Sequence, residues 1–254
     1  MPGTIELDSD RSCGQLVLRL SDLRPDGAVT RVSYAILNLS HRDSHAHPTP
    51  LEPGQRYRIT LALNEIAHVF PRDHRLRIAI STCYWPVVWP APEAATLTIH
   101  TDRSWIELPV RMPRAEDAEL PDFLAVETAP KTATTELRPA TIERHVTTDI
   151  ATGEITYTIL RDDGATRLDA TGTVLETRKD LRYRTHCDDP LATRAEGEVV
   201  YALSRGDWQP RIRSRGVLTA DRDAFTLQTD LDVHDGDRRI FARSWTERIA
   251  RDLI

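Results

Sequence analysis

QRYRITLALN, residues 55–64, sets Tyr57, Ile59, Leu61 and Leu63 against Arg56, Arg58, Thr60 and Ala62. A side-chain period of two puts the first set on one face of a β-strand and the wetter set on the other. HRLRIAIS (74–81) does the same, with Leu76, Ile78 and Ile80 opposed to Arg75 and Arg77. TRVSYAIL (30–37) contributes Val32, Tyr34 and Ile36, ATLTIH (95–100) Leu97 and Ile99, and SWIELPV (104–110) Ile106, Leu108 and Val110. Between these runs fall the turn signals RPDG (24–27) and LEPG (51–54) and the proline-rich WPVVWPAP (85–92). Short alternating strands with no long segment of period 3.6 predict an antiparallel β-sandwich or jelly roll.

The pattern lapses over 113–140, where Pro113, Pro121, Pro130 and Pro139 stand among acidic residues. Proline removes a ladder donor and biases its predecessor to extended geometry, so this stretch is expected to be a surface linker. Alternation returns in EITYTIL (154–160), after a tight turn at 151–154. It continues in FTLQTDLDV (225–233), which puts Phe225, Leu227, Leu231 and Val233 on one face. The DGDRR turn at 235–239 feeds a last strand, IFARSWTER. The expectation is an all-β chain in two lobes. An antiparallel sandwich takes 1–112 (of the galactose-binding-like kind, as the family resemblance given below implies), and an antiparallel meander of about six to eight strands, curved enough to wrap a core, takes 141–254.

The 254 residues carry a formal net charge of −6, which argues against a nucleic-acid partner. No stretch reaches the ~20 apolar residues needed to cross a bilayer, and MPGTIELDSD has neither the basic nor the apolar part of a secretory signal. Cys13, Cys83 and Cys187 are odd in number and far apart, as expected for reduced thiols in a cytoplasmic protein.

HRDSHAHPTPLEPG (41–54) is the stretch richest in candidate metal ligands. His45 and His47, with Glu52 following, imitate the HxH…E spacing of cupins, and His74 could pose as a fourth ligand. Pro48 and Pro50 follow the pair directly, and proline cannot donate to a ladder, so the histidines are expected outside any barrel wall. The flanking glycines of the cupin pattern are missing too. The metalloenzyme reading is therefore the weaker one, and no cofactor is expected.

The span from Thr30 to Pro90 resembles the C-terminal domain of the X-Pro dipeptidyl-peptidase and cocaine-esterase family of serine hydrolases. Leu51-Glu52-Pro53-Gly54, AHVF (67–70), His74-Arg75-Leu76-Arg77 and Ile80-Ser81 carry the likeness, in that order and spacing. It runs from about Ile5 to Val110 and is fainter beyond. Where members commonly place glycine before the His-Arg pair, this chain has Asp73, which tolerates a left-handed turn. The resemblance implies a jelly-roll sandwich that packs on an α/β-hydrolase domain and helps wall its substrate cleft. The family's catalytic triad belongs to that other domain. This sequence has no GxSxG, and Cys83 has no basic neighbour to activate it. It is therefore expected to be a non-catalytic module whose partner is an α/β-hydrolase domain or subunit. The resemblance also has the chain entering the sandwich about one strand late, so an exposed edge open to self-association is expected.

Tyr84, Trp85 and Trp89 are the candidates for docking or cleft lining, because such rings bury large areas and keep a polar tip. They serve equally well to close the end of the sandwich. His68, within AHVF, is expected to be a hydrogen-bonded structural residue at the same rim. A rival function is carbohydrate or small-ligand binding on the platforms of Trp85, Trp89 and Trp105.

Overall fold

The first group of alternating runs forms seven strands: β1 (Pro2–Ser9), β2 (Gln15–Leu23), β3 (Val29–Asn38), β4 (Tyr57–Ala62), β5 (Arg75–Ser81), β6 (Leu97–Ile99) and β7 (Trp105–Ile106). They come from a computed structural model that describes residues 2–109, 112, 114–119 and 124–254. Val110, and Pro113 and Pro121 of the expected linker, lie outside the described residues. One sheet has the order β4-β1-β6, with β7 also pairing β1, and the other the order β3-β2-β5, all antiparallel.

The two sheets share one core. Ile5 and Leu7 of β1 and Ile59 and Leu61 of β4 meet Leu16, Leu18 and Leu20 of β2 and Ala35 of β3. Leu7, Leu16, Leu18 and Leu20 are fully buried, each contributing about 1.5–3 kcal/mol. Gly3 lets the sheets close at one end: a Cβ there would lie 2.7 Å from Ile106 and 2.8 Å from Leu18. RPDG and LEPG turn as the sequence indicates, on Gly27 and Gly54. Asp73 takes the left-handed conformation expected of it, at φ 71°.

The second half is one antiparallel sheet of eight strands. They are β8 (Thr134–Arg138), β9 (Thr141–Thr148), β10 (Glu154–Leu168), β11 (Thr173–His186), β12 (Arg194–Ser204), β13 (Pro210–Ala220), β14 (Ala224–Asp235) and β15 (Arg238–Ala250). From β10 to β15 each strand pairs with the next, and β8 and β9 both pair β10 on either side of a bulge. Strand β8 thus lies within the stretch expected as linker. At the bulge Gly164 takes φ 76°, and a Cβ there would meet the Arg138 carbonyl at 2.3 Å.

Register divides this sheet cleanly. Tyr157, Tyr183, Leu181, Val199, Leu218, Leu227, Leu231 and Trp245 share one face. The opposite face is a lattice of charge: Arg184 and Arg194 on Glu196, Arg213 on Glu198, and Arg239 on Asp232. Such exposed pairs contribute about 0–1 kcal/mol each, so they keep one side wet more than they stabilise it. The expectation that this half wraps its own core is not met. Its alternation is that of a two-faced sheet. Among its larger described apolar residues only Val217 falls below a tenth exposed, and it lies on the charged face; the apolar face is covered mainly at one end, by Trp85 and Trp89 of the first lobe.

Candidate partner-docking site

The chain after β5 and the segment following β4 bring together the residues singled out from the sequence. Cys83-Tyr84-Trp85-Pro86 leaves β5 and throws the Trp85 and Trp89 rings edge to face, 5.0 Å apart. Trp85 then meets Tyr183 of β11 at 5.9 Å, and Trp89 meets Phe225 of β14 at 5.6 Å. Both tryptophans therefore pack on the apolar end of the large sheet and join the two lobes. Tyr84 turns the other way, edge-on to Tyr34 and hydrogen-bonded to Arg31. Trp105, on β7, is half-exposed with its indole nitrogen donating to Glu107; the Arg58 guanidinium lies over its ring, 6.0 Å from the centroid, and no aromatic ring of the described residues stacks on it. The three tryptophans form no common platform.

The joint has a second component that sequence reasoning missed. Arg251 follows β15 and is only 2% exposed. Its Nη2 donates to the Pro90 carbonyl (2.6 Å), Nη1 to that of Asp221 (3.2 Å) and Nε to that of Ile254 (2.9 Å), with the guanidinium over the Phe225 ring. Burial pulls this guanidinium below its ordinary pKa, and the nearby Asp221 charge opposes the shift. Asn38 and Ser40 of the first lobe both donate to the Leu253 carbonyl at 2.8 Å. A lone arginine near the end of a polar strand carries no sequence signal of such burial.

His68 and His74 converge on Asp22, the buried residue near the end of β2. His68 Nε2 lies 3.1 Å from one carboxylate oxygen and His74 Nδ1 2.8 Å from the other. An ionised carboxylate only accepts, so both imidazoles donate. Burial works to raise the Asp22 pKa, but the two imidazole hydrogen bonds outweigh it and hold the carboxyl below its ordinary 3.8. The cluster pins the segment between β4 and β5 against the sandwich. Beside it runs a groove of about 450 Å³ lined by Asn64, Ile66, His68, Phe70, Leu76 and Leu108 among others. Ile66, Leu76 and Leu108 are between 38% and 45% exposed, and the neighbouring Val69 reaches 81%. This is an apolar rim on a hydrogen-bonded base.

The histidine loop is laid out differently from a metal centre. His45 and His47 sit in exposed bends, and His45 faces His41 (Nδ1 to Nδ1, 3.4 Å). Glu52 is exposed, and its backbone N–H donates to the Tyr57 hydroxyl. Among the described residues the one group whose donor atoms converge within 4.8 Å is His186, Cys187 and Asp188. His186 Nε2 donates to the Thr152 carbonyl (2.7 Å), and Nδ1 accepts from the Asp188 N–H (3.1 Å). Both ring nitrogens are thus committed to protein partners, which leaves no free imidazole lone pair for an ion. The three cysteines are free thiols.

The family model described as the X-Pro dipeptidyl-peptidase C-terminal non-catalytic domain matches residues 4–152, more than half of the chain. The chain belongs to that family. Its match takes in both sheets of the sandwich and strands β8 and β9, and it includes the Asp22 cluster and the tryptophan loop. Strands β10 to β15 continue beyond the matched span of this X-Pro dipeptidyl-peptidase C-terminal domain. No curated protein matches the chain. No helix among the described residues is long and apolar enough to cross a membrane.

Proposed function

We propose that this chain is an accessory module that docks on an α/β-hydrolase domain of the X-Pro dipeptidyl-peptidase and cocaine-esterase type and shapes access to its substrate cleft. The observation that carries the reading is the apolar groove beside His68. Contiguous exposed apolar surface of this kind marks sites of protein contact. It lies within the matched part of the chain, on the segment that Asp22 fixes through His68 and His74. Trp85 and Trp89 serve the reading indirectly, by holding the large sheet at a set angle to the sandwich. Val69 and Ile66, exposed in the chain alone, supply the anchors, with His68 beside them in the groove, while Tyr84 offers a separate contact against Tyr34 and Arg31. The serine nucleophile resides on the partner, which acts in the cytoplasm on ester or amide substrates.

Co-purification tests this. A tagged chain should retain an α/β-hydrolase domain of this type expressed beside it, and the double variant Ile66→Asp/Val69→Asp should release that domain while keeping the thermal unfolding of the original. Retention by the double variant equal to that of the original chain would remove the groove from the interface.

A further inference from the structure

Strand β15 is the outer edge of the eight-stranded sheet: it pairs β14 on one side only. Over thirteen residues it presents a row of backbone N–H and C=O groups, and every residue but Trp245 is exposed. Natural edges are blunted by proline, brevity, a bulge or charged side chains, inward-pointing ones included. Here the strand has no proline, and its one bulge lies near the start, at Ile240. Its charges, Arg243 and Glu247 on the apolar face among them, would repel most strands, so the edge admits only a partner that matches them.

Its side chains specify with what. The register with β14 places Phe241, Arg243, Trp245, Glu247 and Ile249 on the apolar face of the sheet. This order is self-complementary about Trp245. If a second β15 is laid antiparallel with the two Trp245 residues opposite one another, Phe241 falls opposite Ile249, Arg243 opposite Glu247, and the remaining pairs repeat by symmetry. Directly opposed residues of an antiparallel pair share a face and have Cβ atoms about 4.5–5.5 Å apart, close enough for apolar and opposite-charge pairs to form. On the other face Ala242 meets Arg248 and Ser244 meets Thr246, so no like charges oppose. Within one chain, neither Arg243 nor Glu247 has an ion-pair partner among the described residues, Arg243 resting over the Trp245 ring 4.9 Å from its centroid, whereas Arg248, Arg239 and Arg213 all do. Phe241 and Ile249 are 45% and 53% exposed. The two unmatched charges and the two bare apolar side chains are the ones the pairing would satisfy.

We infer that a second copy of this chain pairs with the β15 edge, joining two eight-stranded sheets about a two-fold axis at Trp245. Such an interface is isologous and closes at two copies, so it gives a dimer without propagating into a fibre. It lies on the second lobe, away from the His68 groove, and stands independently of the hydrolase reading.

Charge exchange tests it on the full chain. Sedimentation velocity at micromolar concentration should give a dimer that weakens with added salt. Arg243→Glu and Glu247→Arg should each weaken it about ten- to thirty-fold, because two cross-strand pairs per dimer turn repulsive. An equimolar mixture of the two variants should associate again, and so should the double variant carrying both changes, since each restores opposite charges across the axis. That rescue excludes misfolding as the cause of the loss. A chain that stays monomeric, single variants that dimerise as tightly as the original, or a mixture that fails to reassociate would each overturn the assignment.

Discussion

Replacing Arg251 with methionine should detach the two lobes. Arg251 is 2% exposed and donates three hydrogen bonds, of which the 2.6 Å one to the Pro90 carbonyl is buried and crosses to the first lobe, while those to Ile254 (2.9 Å) and Asp221 (3.2 Å) stay within the second and are partly exposed. Removing the donor leaves the Pro90 carbonyl buried and unmet at about 1–3 kcal/mol, and the contact with Phe225 is lost as well. Against this, the variant no longer buries a charge, which returns part of the loss. The net cost is about 2 kcal/mol. Arg251→Lys keeps the charge but reaches only some of the three carbonyls and should cost about half as much. Urea unfolding followed by tryptophan fluorescence is the suitable assay, since Trp85 and Trp89 sit at the joint. The methionine variant should shift their emission at urea concentrations where the β-sheet circular dichroism is still native. A loss below about 1 kcal/mol, with both signals moving together, would refute the view that this residue holds the joint.

Acid should destabilise the fold over a defined window. Asp221 is held down at about 2 by its hydrogen bond from Arg248 and by the Asp223 and Ala224 N–H groups. Asp22 is also lowered. A depressed carboxyl stabilises above its unfolded value of 3.8 and loses that contribution as pH falls through the folded one, so chemical stability should be flat above about pH 5 and drop between about 4 and 2. Asp221→Asn should flatten the drop in a urea titration at stepped pH. Asp73→Gly relieves a left-handed non-glycine residue and should raise stability by about 0.5–1 kcal/mol, read as a higher melting temperature. Gly3→Val should lower it by about 1–3 kcal/mol, because its new atoms have no room between Ile106 and Leu18.

The sandwich strands were legible where one face alone is buried, as on β4, and less so on β3, where Ser33 and Ala35 rather than the expected Val32, Tyr34 and Ile36 are the buried residues. HRLRIAIS falls on β5 from Arg75 to Ser81, and the centre of QRYRITLALN, Tyr57 to Ala62, forms β4. The long strands of the second lobe were harder. The expected strand at 154–160 runs on to Leu168, through a Gly164 bulge that looks like a turn in sequence. Strand β8 was hidden by the prolines around it, and its pairing with β10 is a tertiary fact. In the candidate site His68 was readable as a bonded histidine, but Asp22, its partner 46 positions away, was not. Nor was Arg251, whose burial depends on how two lobes meet. The fate of Trp85 and Trp89 was ambiguous for the same reason: aromatic composition gives the area to be covered and not the surface that covers it.

Hydrolysis assayed with the parts separated and recombined tests the central claim most directly. The 254-residue chain alone should neither cleave an X-Pro dipeptide anilide nor take up a fluorophosphonate label, while adding it to a matching α/β-hydrolase domain should change the kcat/KM of that domain. Turnover by the pure chain, abolished by altering one of its own side chains, would contradict the account.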